Sequence, residues 1–388
     1  MIQRILFWLP LILILHTYAA YPLLLLIINR FSRNGKTIKE YPDQPYVSVL
    51  MAVHNEELVI EHKLESLFMS DYPAGKLEVL VGSDASDDMT DRILEEACKK
   101  HDSLKVTTYG NRTGKPAVIN DLSEKARGEI LVITDANVIP EPSTIRLLVR
   151  NFSDETVGLV DSRLTSSNPR KDGIALPENA YLNIETMMKN TEGRIWGTMM
   201  GPFGGFYAVR KQSYQPNKNE ILADDFRICM NVIKKGEKAI SDPEAVVFED
   251  LPNNISDEFR RKVRISAGNF QNLRYFSSLL LRPFSKWSFS FISHKVLRWL
   301  TPVFWLILVV FNIMLLNTSI FYFLFFLLQV IFIILPPLDI LLKKTGINLV
   351  PLRFFTHLFM MNVALFTGLI KNLGGIRSGV WTPTKRFQ

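Results

Sequence analysis

The chain has 388 residues, 47% of them hydrophobic, with a formal net charge of +7 and only two cysteines. That length gives ample core for one large domain or two ordinary ones, and Cys98 and Cys229, far apart and without metal-type spacing, exclude a disulfide framework or a zinc cluster and read as thiols of a reducing compartment. The positive charge gathers beside apolar runs, at Arg30, Arg33, Lys36 and Lys39 and again at Arg282, Lys286, Lys295 and Arg298; with no aromatic-basic ribbon beside it, this pattern fits an anionic membrane surface rather than nucleic acid.

Ile5 to Ile28 is an almost uninterrupted apolar run, long enough to span a bilayer and too long for a signal peptide. Arg4 precedes it and four cations follow, which places its C-terminal end in the cytoplasm. His16 in its middle predicts a polar contact with a neighbouring helix. From Tyr46 the pattern changes to alternating strands and helices. Val47 to Val53 is a strand, and His54-Asn55-Glu56-Glu57 opens a helix to Phe68. Leu77 to Gly82 is a second strand, ending in Ser83-Asp84-Ala85-Ser86-Asp87, with a helix from Thr90 to Lys100. Leu104 to Tyr109 is a third, and Gly114-Lys115-Pro116 leads into a helix to Lys125.

Ile130 to Ile133 is a β-branched run of the kind buried on both faces of a mostly parallel sheet. It ends in Thr134-Asp135-Ala136-Asn137. In an open α/β sheet, ligands bind beyond the carboxyl ends of the strands. Asp135 and Asn137, two apart in extended chain, can converge on a hard divalent cation. The alternative is a polar turn before a helix started by Pro140 and Pro142. Further on, Val157 to Leu164 is extended and Pro177 to Lys189 helical. Gly201 to Phe206 is a glycine-rich loop before the strand Tyr207 to Arg210. Ala223-Asp224-Asp225 starts a helix that ends at Lys235-Gly236, and Ala239 to Phe248 is extended.

Ser256 to Gln271 reads as a basic helix, and Leu273 to Ile292 mixes aromatics with cations as an interfacial helix does. Leu300–Leu316, Ile320–Leu335 and Phe354–Ile370 are three further apolar runs. Four crossings would leave the basic tail (Lys371, Arg377, Lys385, Arg386) outside, against the positive-inside expectation. A break at Pro336-Pro337, making one late run interfacial or re-entrant, would resolve this. The expected domains are therefore 1–30 (membrane helix), 31–272 (cytosolic α/β domain), 273–296 (interfacial), 297–372 (membrane helices) and 373–388 (basic tail).

Carboxylates at Asp84, Asp135 and Asp224-Asp225 all follow strands or open a helix. An enzyme acting on a nucleotide diphosphate needs such a set: one to orient the nucleoside, one for a metal, one to take a proton. Gly110-Asn111-Arg112-Thr113-Gly114-Lys115-Pro116 is not a P-loop, because its glycine spacing is one residue short and proline follows lysine.

The motif order from Val47 to Gln271 resembles the membrane-embedded inverting family 2 glycosyltransferases related to cellulose, hyaluronan and poly-N-acetylglucosamine synthases. The resemblance implies a GT-A fold, Rossmann-like with a mostly parallel sheet, flanked by transmembrane helices. It implies nucleotide-sugar contacts from Asn55, Glu56, Asp84, Lys115, Asp135, Arg261 and Arg264, and Mg²⁺ or Mn²⁺ on Asp135 and Asn137. It also implies Asp225 as general base with Asp224 beside it, and an acceptor border of Phe203, Gly204, Gly205 and Phe206. Helix capping competes for Glu56 and Asp224, a basic helix face for Arg261, and a tight turn with two core aromatics for the Phe203–Phe206 loop. The implied partners are a UDP-sugar, a glycan or lipid-linked acceptor and the bilayer, with accessory membrane subunits left open. Two departures stand out: Asn137 replaces an acid, and Arg261 and Ile265 replace the Gln and Trp of the processive members. The resemblance implies transfer to a polysaccharide or glycolipid acceptor with inversion; the second departure counts against long-chain processivity and makes single-sugar transfer to a polyprenyl phosphate the alternative. A transporter or nucleotide sensor is the reading from another class.

Overall fold

The computed structural model describes residues 1–31, 41, 43–166, 175–249 and 255–376. The flanking cations Arg33, Lys36 and Lys39 and the tail cations Arg377, Lys385 and Arg386 lie outside the described residues. The chain divides into two compact units, one drawing on residues 30–168 and 186–251, the other on 1–29, 169–185 and 252–375.

The first unit is an α/β sheet of eight strands: β1 Val47–Val53, β2 Leu77–Asp84, β3 Leu104–Tyr109, β4 Ile130–Thr134, β5 Val138–Pro140, β6 Val157–Ser166, β7 Phe206–Arg210 and β8 Lys238–Glu249. Their order is β3-β2-β1-β4-β7-β6-β8-β5. β1, β2 and β4 are buried along their whole length, as expected of parallel strands covered by helices on both faces. The β3-β2-β1-β4 half is parallel throughout. The other half is mixed. β7 runs antiparallel to both β4 and β6, and β5 antiparallel to β8. At the start of the parallel strands, buried Glu78 accepts from Ser48 Oγ (2.6 Å) and is paired with Arg127 (3.0 Å). This structural carboxylate closes the end of the sheet away from the strand C-termini.

Two local expectations change. His54–Glu57 form a loop, and the helix begins only at Ile60. Asn55 sits at φ +55°, a left-handed conformation that helices exclude. Pro140 does not start a helix; it ends β5, and the next helix is Thr144–Arg150.

In the second unit, four helices among the described residues are long and apolar enough to cross a membrane: Ile2–Phe31, Thr301–Thr318, Ile320–Lys344 and Val350–Leu373. The third runs through Pro336 and Pro337 without a break, so no re-entrant turn forms there. Proline is tolerated in such helices where neighbours satisfy the freed carbonyls. His16 makes the expected polar contact, with Ser293 Oγ at 2.9 Å. His357 binds Glu178 (2.8 Å), and Asp339 accepts from Thr356 Oγ1 (2.8 Å), so both of these ionisable groups of the late helices are held by side chains. The expected interfacial helix is instead a 3₁₀ turn Ser277–Leu281, a short helix Lys286–Ser290 and a π turn Phe291–Val296.

Candidate active site

The site lies at the C-terminal ends of β2 and β4, with loops from β1, β7 and the helix Asp224–Lys234 converging on it. Asp84, the last residue of β2, is fully buried. Its carboxylate accepts from Thr113 N (2.6 Å), Thr113 Oγ1 (2.8 Å), Gly114 N (3.0 Å) and Arg112 Nε (3.2 Å). Burial opposes its charge, but these donors hold it below the ordinary aspartate range. Asp84 therefore fixes the turn that presents Lys115. Asn55 is tied to the loop after β2, donating to Asp87 and accepting from Asp87 N (3.0 Å). Glu56 N donates to Thr90 Oγ1 (2.9 Å).

Lys115, at the start of the helix Lys115–Lys125, places Nζ 2.6 Å from Asp135 Oδ1. Burial disfavours its charge, yet Asp135, Asp224 and Asp225 together raise its pKa above the ordinary lysine value. The structure thus brings Lys115, Asp135, Asp224 and Asp225 into one electrostatic cluster. Asp224 and Asp225 open the helix Asp224–Lys234 after Ala223 at the cap position, and Asp225 Oδ1 accepts from Phe226 N (2.7 Å). Helix N-termini favour carboxylates. Burial and the Asp224 charge nevertheless push Asp225 up to about 6, Lys115 pulling the other way.

The loop before β7 faces Asp225. Gly204 has φ +87°, and a Cβ built on it would lie 2.2 Å from Asp225 Oδ2. Only glycine lets the backbone come this close. Asp135 N donates to Gly205 O (3.0 Å). Phe203 is half-buried, whereas Phe206 is 1% exposed and belongs to the core. For Phe206 the core reading holds, because it is the first residue of β7 and points into the sheet packing.

Asn137 donates from Nδ2 to Glu249 Oε1 at 2.9 Å. Glu249, at the end of β8, brings a carboxylate to the loop that the sequence reading did not single out. Among the described residues no three His, Cys, Asp or Glu side chains form a closed metal cage. The donor set of Asp135 and Asn137 fits a cation that relies on substrate phosphates for most of its ligands, as Mg²⁺ does. The ammonium of Lys115 already lies on the Asp135 carboxylate.

Arg261 and Arg264 lie on the helix Ile255–Tyr275, in the other unit. The Arg261 guanidinium is bound by Glu258 through Nε (2.9 Å) and Nη2 (3.1 Å). Arg264 is exposed.

Lys63 was not foreseen. It is fully buried on the helix Ile60–Phe68, with Nζ donating to Thr134 Oγ1 (2.8 Å) and to Val138 O, beneath the Asp135 loop. A lysine on the apolar stripe Ile60-Leu64-Leu67 was its visible signal. Burial pulls its pKa down to about 7, with Asp135 opposing. The unfolded chain, with an ordinary lysine at 10.5, then binds more protons between about 7 and 10.5, so stability rises with pH across that window. We expect Lys63→Met to flatten this rise in denaturant titrations run in EDTA at pH 7 and pH 9.5. An unchanged slope would show that Lys63 stays charged in the fold.

Residues 48–217 match the family model described as "Glycosyl transferase family 2". "Probable glycosyltransferase YdaM" of Bacillus subtilis is 28% identical over 251 residues, covering 62% of this chain and 59% of its own length. A β-monoglucosyldiacylglycerol synthase of Trichormus variabilis is 34% identical over 155 residues, 39% of this chain and 33% of that one. The poly-β-1,6-N-acetyl-D-glucosamine synthase of Staphylococcus epidermidis is 23% identical over 252 residues, 63% and 59% of the two chains. The chain thus spans about a third to three fifths of the length of these relatives. Among solved structures, the mannosyltransferase PcManGT of Pyrobaculum calidifontis, in complex with GDP-Man and Mn²⁺, superposes with a TM-score of 0.69 at 22% identity. The match covers 95% of this chain and 99% of that one, and shows a shared GT-A-like fold. The chain carries a family 2 glycosyltransferase domain.

Proposed function

We propose that this protein transfers a sugar from a nucleotide-sugar, probed first as UDP-hexose or UDP-N-acetylhexosamine, to a glycolipid or polysaccharide acceptor at a membrane surface, with inversion at the anomeric carbon. The observation that carries this reading is the approach of Asp225 to the Gly204 backbone beside the Lys115–Asp135 pair. A base with its pKa near 6 is deprotonated at neutral pH and still basic enough to act.

In this reading Asp225 takes the proton of an acceptor hydroxyl as the oxygen attacks the anomeric carbon. The bond to the nucleoside diphosphate breaks on the opposite face, and the proton stays on Asp225. Lys115 offsets the growing charge of the leaving group. Asp135 and Asn137 would hold Mg²⁺ or Mn²⁺, which would supply further neutralisation of that diphosphate. Asp84 keeps the Lys115 turn in place, and Asn55 and Glu56 border the nucleoside.

Two of the relatives, a β-monoglucosyldiacylglycerol synthase and a poly-β-1,6-N-acetyl-D-glucosamine synthase, support an acceptor of the lipid or glycan class. Ile265 in place of the processive tryptophan favours short products. The four apolar helices support a multi-pass membrane protein, and the cations that follow the first run support a transferase domain on the cytoplasmic face.

Radiolabel transfer tests this reading. Purified protein in nanodiscs is given UDP-glucose, UDP-N-acetylglucosamine or GDP-mannose, with dioleoylglycerol or undecaprenyl phosphate, in Mn²⁺ and then in EDTA. Metal-dependent incorporation from one donor is the expected result, and product size separates single transfer from polymer. Nucleotide binding without turnover of any donor would favour a sensor instead.

A further inference from the structure

A second buried charge pair lies behind the Gly204 loop. Asp161 of β6 is 1% exposed, and Lys189 of the helix Ala175–Trp196 is 2% exposed; Nζ lies 2.7 Å from Oδ2. The same oxygen accepts from the backbone N–H of Phe203 (3.1 Å), and Nζ stands 3.4 Å from the centre of the Phe203 ring. One turn along the helix, Glu192 accepts from Met200 N (3.3 Å). From the opposite side, Cys229 Sγ donates to Met199 O (3.3 Å). The β6–β8 ladder shifts register between Asp161 and Arg163, and such irregularities re-aim side chains.

Stability alone explains this pair poorly. Replacing a buried ion pair by well-packed apolar residues is often neutral or stabilising. Here the other carboxylate oxygen, Asp161 Oδ1, has no hydrogen-bond partner among the described residues. What the pair does accomplish is specific: both of its charged groups are spent on Phe203, the residue next to the glycine that abuts Asp225.

We propose that Asp161 and Lys189 are positioning residues for the acceptor side of the site, fixing Phe203 and Gly204 so that an acceptor hydroxyl meets Asp225. This rests on the function proposed above. Neither residue touches the reacting atoms; both act through the Phe203–Gly204 backbone and the Phe203 ring.

The test compares the double variant Asp161→Leu/Lys189→Met with Lys189→Arg and with the unsubstituted protein, all in nanodiscs. Hydrogen exchange of Met199–Gly205 is expected to quicken by about tenfold or more in the double variant, while β4 stays protected. The dissociation constant of UDP or GDP with Mn²⁺ is expected to stay within about threefold, and kcat on the donor used by the unsubstituted protein to fall by about 10²-fold at constant donor KM, as a displaced near-attack geometry does. Lys189→Arg is expected to restore most of kcat. A folded double variant with unchanged loop exchange or unchanged kcat overturns the proposal, as does a parallel loss of nucleotide affinity. If the double variant does not fold, Phe203→Leu takes its place; unchanged kcat there overturns it equally. If the unsubstituted protein turns over no donor, the function reading fails, and the exchange measurement still decides whether the pair holds the loop.

Discussion

Asp225→Asn is expected to lower turnover by about 10²–10⁴-fold, the range a positioned general base supplies. The substitution keeps shape and leaves Oδ1 able to accept the Phe226 N–H, a 2.7 Å bond in the present structure. It also removes one of two neighbouring negative charges from a helix start, so the fold should survive. Nucleotide affinity is expected to change by less than about fivefold, because the aspartate faces the acceptor loop and is not among the Asp84 contacts. The pH profile gives an independent check. Burial and Asp224 raise Asp225 to about 6, so kcat/KM of the unsubstituted protein should fall as pH drops through about 6, when the base becomes protonated. A nucleotide sensor would keep its output in Asp225→Asn. A flat profile from pH 5 to pH 8 would argue against Asp225 as the base.

Gly204→Ala is expected to be nearly as damaging, for a steric reason. Its φ of +87° is one that side chains rarely adopt, and the added methyl would lie 2.2 Å from Asp225 Oδ2 and 3.1 Å from Cγ. Either the loop or the carboxylate must move. The backbone cost is about 1–2 kcal/mol, a modest fall in melting temperature. The displacement of the base is worth about 10²-fold in kcat. Gly236→Ala separates the two causes: its φ is +86° but nothing lies within 4 Å of the added Cβ, so it should show the backbone cost without the displaced base. Gly75→Ala, with nothing within 4 Å, should leave both stability and rate unchanged. Full activity in Gly204→Ala would mean that Asp225 is not held where it works.

Much of the parallel half was legible because its strands are continuous apolar runs between turn residues, and those runs fix both strand identity and burial. The carboxylates at Asp84 and Asp135 were legible for a related reason, since polar residues that interrupt such runs stand at strand ends, and Asp224-Asp225 were legible as an acidic helix start. The mixed half was not. Phe206–Arg210 is five residues long, and nothing in a short apolar strand states its direction; that comes from Thr134↔Phe206 pairing across the sheet. The alternative in which Pro140 and Pro142 start a helix fails because Val138–Pro140 pairs with β8, a contact local preference does not encode. Lys63, Asp161 and Lys189 are buried charges whose partners are between 28 and 75 residues away in sequence. Their roles depend on contacts that no local pattern encodes.

The hydrogen bond from Asp135 N to Gly205 O has a consequence for anyone wishing to redesign this protein. β7 lies directly against β4, so the segment proposed above to hold the metal and the segment proposed to border the acceptor share this peptide contact. They are one mechanical part with two duties. Grafting a foreign 201–205 loop to change what accepts the sugar should therefore also retune which cation is preferred. On the proposed function, donor and acceptor preference would then not be separable, and libraries that vary both segments together should recover working variants more often than libraries that vary either alone.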